Sequence, residues 1–259
     1  MSLHTLNPAM KACTIIGLVF VLAFLFDPVT PFVFTGFTIA LTLIFGRFRK
    51  RVYLLYLSAF TLFAFGMLWT TIAFADEPAR PGETIRLAGF LFPKEDLLMA
   101  LALSFRVMAF AALSLLFVFT TNMVHFILSL IQQLKLPPKL AYGLMAGYRF
   151  LPMMKEEFDQ IRAAHRIRGV TESKSVKGRF KQLKRYSIPL LAGAVRKAER
   201  TAAAMESKGF TGERSRTFYR PMKISTKDWG FPLLMFTVLG ALIVLSIQLD
   251  YFQWYNGQF

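Results

Sequence analysis

The 259-residue chain is 55% hydrophobic, contains 28 phenylalanines and has a mean hydropathy of +0.46, which excludes an ordinary soluble domain and marks a membrane protein. Its net charge of +16 is concentrated between Thr120 and Asp228, where 22 Lys+Arg stand against 8 Asp+Glu. A basic segment flanked by apolar runs is the pattern of a protein face beside anionic lipid. No nucleic-acid-binding motif accompanies it, so nucleic acid is not expected as a partner, and the single cysteine, Cys13, excludes an internal disulfide or a thiolate metal site.

A spanning helix needs about 20 mostly apolar residues, and five segments qualify or approach it: Ala12–Phe26, Val29–Phe45, Val52–Ala75, Leu97–Phe119 and Trp229–Leu249. The first two share the turn Asp27-Pro28. No small-residue cleavage site follows the first run, so it reads as a retained span. The loop Arg47-Phe48-Arg49-Lys50-Arg51 carries four cations and no acid, whereas Asp76–Asp96 carries five acids against three cations. The first loop belongs on the cytoplasmic side and the second outside. The N-terminus and the long basic segment then fall inside, with Tyr251–Phe259 outside. Trp229, Tyr251, Trp254 and Tyr255 suit the interface. The fold class is an all-α integral membrane protein of about five transmembrane helices with long cytoplasmic coupling helices. Its regions are 1–121, 122–228 and 229–259.

Within the basic region, Thr121 is placed to cap an amphipathic stretch from Asn122 to Leu134, whose Val124, Ile127, Leu128, Ile131 and Leu134 recur at helical spacing. Leu136-Pro137-Pro138 ends it. Lys139–Met154 reads as a second helix at the membrane interface, and Thr171–Arg185 as a solvated linker or short exposed helix. Two further helices each open on a proline and close on a cation followed by glycine: Pro152 to Arg168-Gly169, and Pro189 to Lys208-Gly209. Proline in the first turn and glycine past the last are start and stop signals. A cation in the last turn complements the negative end of the helix dipole. Ala194, Ala198 and Ala202, spaced by four, allow a close helix crossing. Two such basic tips suit an acidic partner, and the spacing suits equally well surface helices with an alanine stripe that pack on their own protein.

The remaining polar residues point to duller roles. Arg106, inside the fourth span, reads as a group facing the bundle interior more readily than as a substrate contact. His4, His125 and His165 are scattered, and the neighbours Glu156 and Glu157 suit a helix start. No Gly-x-x-x-x-Gly-Lys-Ser/Thr loop occurs, so ATP hydrolysis by this chain is not expected, and nothing supports an enzyme.

The order of local words resembles the transmembrane T component of energy-coupling factor transporters. These words are Leu6-Asn7-Pro8 with Lys11, Phe119-Thr120-Thr121, Leu136-Pro137-Pro138, Tyr148-Arg149-Phe150-Leu151-Pro152, Glu156-Glu157 and Ala164-His165-Arg166-Ile167-Arg168-Gly169. The family's two short Ala-Arg-Gly-like signatures fall on Ile167-Arg168-Gly169 and Ser207-Lys208-Gly209, with Ile167 replacing a small residue and Lys208 an arginine. The resemblance implies a non-catalytic subunit that links two cytoplasmic ABC ATPases to a small substrate-binding membrane subunit, importing a vitamin, vitamin precursor or transition-metal ion. ATP and Mg would be bound by the ATPases and no cofactor by this chain. The ATPase contacts implied are Arg168, Gly169, Lys208, Gly209 and Arg166. The contacts toward the substrate-binding subunit, from amphipathicity and resemblance together, are Ile127, Leu128, Ile131 and Leu144. A conventional ABC permease would carry a Glu-Ala-Ala word, which is absent. A self-sufficient secondary transporter would want several ionisable groups at membrane depth, where only Arg106 stands.

Overall fold

In the computed structural model, residues 3–73, 84–87, 90–170, 175–214 and 217–249 are described. The elements in order are a 3-10 turn at Leu3–Thr5, then α1 (Pro8–Ala23), α2 (Val29–Phe45), α3 (Lys50–Ala73), β1 (Thr84–Leu87), β2 (Phe90–Pro93), α4 (Lys94–Thr120), α5 (Met123–Gln133), α6 (Pro138–Ile167), α7 (Val176–Ser207) and α8 (Thr226–Gln248). Among the described residues the chain is all-α apart from the antiparallel β1–β2 ladder, which pairs Thr84 with Pro93 and Leu87 with Phe90. That short hairpin falls in the acidic loop that sequence reading left without structure.

Contacts divide the chain into two units, one of Met1–Ser129 with Met222–Phe259 and one of Leu130–Pro221. In the first, α4 packs against α1, α2 and α3, and α8 against α1 and α2. Leu18, Leu22, Leu25, Phe34, Ala109, Leu113, Leu116, Met235 and Leu239 form its core. Lipid is as apolar as these side chains, so close packing, not exclusion from water, holds them together. Small residues make that packing possible on α4, where Ala100, Ala102, Ala109, Ala111 and Ala112 are all buried. α2 contributes a buried threonine row. Thr35, Thr38 and Thr42 each donate their hydroxyl to the carbonyl four residues back, so the row can pack without orphaned polar groups.

α3, the Leu97–Thr120 part of α4, and α8 are long and apolar enough to cross a membrane. α1 and α2, at 16 and 17 residues, lie at the short end of the spanning range. Local capping moves the ends away from the apolar runs. α1 starts at Pro8 because the Asn7 side chain accepts from Ala9 and Met10 N–H, and α8 starts at Thr226 because Ser225 and Asp228 form a capping box. α5 is likewise capped by Asn122, whose Oδ1 accepts from Val124 and His125 N–H, and not by Thr121.

Arg106 faces the bundle interior. Its guanidinium donates to the Leu25 carbonyl and lies 4.4 Å from the centre of the Phe26 ring. Beside it, the buried Asp27 carboxylate accepts from Thr30 N–H at 2.8 Å and from Ser246 Oγ at 3.0 Å. The α1–α2 turn is therefore pinned to both α4 and α8.

The second unit departs from the sequence expectation first in its helix starts. Pro152 and Pro189 do not open helices; they sit inside α6, of 30 residues, and α7, of 32. Lys139–Met154 is thus the first half of α6, and most of 171–185 is the start of α7. An interior proline costs about 3 kcal/mol, but ending a helix and nucleating another, at a factor near 10⁻³, costs about 4 kcal/mol. Continuation wins where the flanks are as rich in Ala, Leu, Met, Lys and Arg as these.

Candidate functional site

α6 and α7 run antiparallel, and four contacts fix their register. His165 and Phe158 place their rings 5.4 and 5.7 Å from that of Tyr186. Lys197 Nζ donates to Glu157 Oε2 at 2.6 Å. Tyr142 stacks edge-on with Phe210 at 5.4 Å. Buried Gly193 faces α6 through the end of the Glu157 side chain, where a Cβ would stand 2.5 Å from Glu157 Oε1. Ala198 and Ala202, expected to form a close crossing, instead line an open groove of about 460 Å³ opposite Gly143, Ala146 and Gly147.

Both helices end in the same way. Gly169 N–H donates to Arg166 O at 3.0 Å and Val170 N–H to His165 O at 3.1 Å; Gly209 N–H donates to Glu206 O at 2.9 Å and Phe210 N–H to Met205 O at 3.0 Å. These are two Schellman motifs. Each needs a left-handed residue, supplied by Gly169 at φ +75° and Gly209 at φ +80°. Arg168 and Lys208 are the cap residues just ahead of those glycines, and both are exposed, as is Arg166. The antiparallel register sends the two tips to opposite ends of the pair. Lys208 lies next to the Tyr142–Phe210 contact, and 26 residues of α6 at 1.5 Å each separate Tyr142 from Arg168, roughly 40 Å. Arg168 offers a planar fork of donors and Lys208 a point charge.

The four residues expected on the substrate-subunit face divide. Ile127 and Ile131 are turned inward, at 1% and 6% exposure, Leu128 is half-buried, and Leu144 is open at 56%. Periodicity identified the apolar face of α5, but the protein covers that face itself. The outward row instead runs along α6 through Leu140, Leu144, Tyr148 and Leu151.

Sequence reading missed a polar joint in the first unit. Lys11, 1% exposed, donates to Leu3 O at 2.8 Å, Thr120 O at 3.2 Å and Thr120 Oγ1 at 3.0 Å, with Thr121 Oγ1 at 3.4 Å. The ammonium exchanges water for oxygens at the C-terminus of α4, where the helix dipole favours a cation. Asp228 accepts from Asn7 N–H at 2.9 Å through one oxygen and from Ser225 N–H at 2.7 Å through the other. Arg47 N–H donates to His4 Nε2 at 2.9 Å. Partial burial, with Lys11 and Arg47 nearby, holds the His4 pKa below its ordinary value, which keeps that nitrogen free to accept. The N-terminal segment thus ties together the α2–α3 loop, the end of α4 and the start of α8. The signals were a lone cation ahead of the first apolar run and a Ser-x-x-Asp box ahead of the last.

Known proteins place the chain. It is 32% identical over 163 residues to the energy-coupling factor transporter transmembrane protein EcfT of Exiguobacterium sibiricum, covering 60% of this chain and 62% of that one. It is 36% identical over 131 residues to the protein of that name from Bacillus subtilis, covering 50% and 47%. With the one from Thermanaerovibrio acidaminovorans it shares 27% over 257 residues, covering 93% and 91%. The matches thus span about half to two thirds of the first two relatives' length and nearly all of the third. The profile of the CbiQ family, described as cobalt transport protein, matches residues 1–219, and the chain belongs to that family, a membrane component of transporters.

Proposed function

We propose that this chain is the transmembrane energy-coupling subunit of an energy-coupling-factor-type ABC importer in a bacterial or archaeal cell membrane. It links two cytoplasmic ATPases, which bind ATP and Mg, to a small membrane subunit that binds a vitamin, a vitamin precursor or a transition-metal ion. The observation that carries the reading is the pair of exposed cationic helix ends with the same cap geometry, Arg168-Gly169 and Lys208-Gly209, held at opposite ends of one helix pair on a membrane-anchored chain. Each tip fits an acidic groove on one ATPase.

The joint at Lys11 and Asn7 suits the transmission of force. The chain passes into the second unit within α5, just after Thr120-Thr121, and returns to the first just before Asp228. Both passages leave from segments held by the same dozen N-terminal residues, and this collar is the route we assign for displacement of α6 and α7 to reach the bundle. The collar also supports the charge-derived orientation, because the segments that it joins are those assigned to the cytoplasmic side. Leu140, Leu144, Tyr148 and Leu151 offer apolar surface to the substrate-binding subunit, as Leu128 does in part.

The test is co-purification from the native membrane. Wild-type chain should retain two ATPases and a small hydrophobic protein, and Arg168→Glu should lose the ATPases and coupled uptake. Normal uptake by Arg168→Glu would overturn the assignment.

A further inference from the structure

The first half of α7 carries a second face that α6 does not cover. Tyr186 and Gly193 point to α6. At 100° per residue, the exposed side chains Val176, Phe180, Leu183, Ile188, Leu191 and Val195 centre roughly 140° away around the helix. Their exposure runs from 56% to 83%, on a helix with no tertiary partner on that side among the described residues. The same stretch holds Lys177, Arg179, Lys181, Lys184 and Arg185, all exposed, and no acid occurs between Ser175 and Ala198. No carboxylate pairs with any of these five among the described residues.

We propose that the first half of α7 is an interfacial arm that lies on the anionic surface of the bilayer, with Phe180, Leu183 and Leu191 inserted among the acyl chains and the five cations at the phosphates. An apolar arc flanked by Arg179 on one edge and Lys181 and Arg185 on the other is the geometry of an in-plane membrane helix. Lys177 and Lys184 stand within the arc, where long lysine side chains reach up to the head groups while their methylenes stay in the apolar layer. The charge selects lipid over an apolar protein groove, since five unpaired cations would need five carboxylates there and find phosphates at any anionic surface. α5 follows α4, whose Leu97–Thr120 part is long and apolar enough to cross a membrane, after two residues, so the second unit belongs to a membrane-anchored chain. The inference stands on this membrane anchoring and not on the ATPase contacts.

The experiment uses the full chain on a Cys13→Ser background in nanodiscs. Spin labels are placed singly at Phe180→Cys and Leu191→Cys on the apolar arc and at Arg185→Cys on its polar flank. In discs with equal parts phosphatidylcholine and phosphatidylglycerol, the first two should be accessible to oxygen and protected from an aqueous nickel reagent, while the third is open to nickel. Phosphatidylcholine alone should lower that protection, and each cation changed to Gln should weaken binding about fivefold. Labels at 180 and 191 as nickel-accessible as the one at 185 would overturn the proposal. So would protection that ignores lipid charge and appears only when a substrate-binding subunit is added. Because no ATPase is present, failure here leaves the coupling reading untouched, and loss of ATPase binding in Arg168→Glu leaves this one untouched.

Discussion

Asn7 and Asp228 are 221 positions apart in sequence, yet the backbone N–H of the first donates to Oδ1 of the second at 2.9 Å in a buried setting. The other carboxylate oxygen accepts from Ser225 N–H. One side chain therefore caps α8 and fastens it to the start of α1. Asp228→Ala leaves two donors unpaired, one of them buried, and should destabilise the bundle by roughly 1–3 kcal/mol, read as a lower thermal unfolding midpoint in detergent. An unchanged midpoint would show that water replaces the carboxylate without cost.

Lys11→Met keeps most of the side-chain volume and removes the ammonium from the Leu3 and Thr120 carbonyls. If the collar transmits force, ATPases should still co-purify with this variant while ATP-driven uptake falls by about tenfold or more, a change equivalent to about 1.4 kcal/mol. Wild-type uptake would remove the collar from the mechanism.

Gly193→Ala places a methyl group against Glu157. The carboxylate is the far end of a flexible, part-exposed side chain and can swing aside, loosening its bond to Lys197 at about 0–1 kcal/mol, while alanine in place of a mid-helix glycine returns about 0.5–1 kcal/mol. Hydrogen exchange along the middle of α6 and α7 should therefore change little in this variant, as in Ala203→Ser, on an exposed position of the same helix; a marked quickening would show that Glu157 has no room to move.

Gly169→Ala and Gly209→Ala force a Cβ into the left-handed region, a cost of roughly 1–2 kcal/mol, and should fray the tips. Weaker ATPase retention is expected from each, milder than from Arg168→Glu. Lys208→Arg keeps charge and cap and should retain uptake; its complete loss would mean that the position is more than a cationic contact.

The membrane helices were legible because long apolar runs need no knowledge of the rest of the chain. Their ends were less so, since Asn7, Asn122 and the Ser225–Asp228 box set them by local hydrogen bonds outside those runs. The helix tips were legible because a cation followed by glycine specifies its own backbone. Pro152 and Pro189 were misread as starts because the cost of re-nucleation is invisible in a local window. The burial of Ile127 and Ile131 was missed for a different reason: periodicity finds an apolar face without saying what covers it. Lys11 and Asp228 meet partners more than a hundred residues away, which no spacing rule reaches.

The contact of Gly193 with Glu157 stands at unequal distances from the two helix tips. From there Arg168 is 11 residues out along one helix and Lys208 is 15 along the other, about 17 and 23 Å. If the pair turned about that contact, the lysine end would travel roughly a third farther than the arginine end, an asymmetry written into the helix lengths alone.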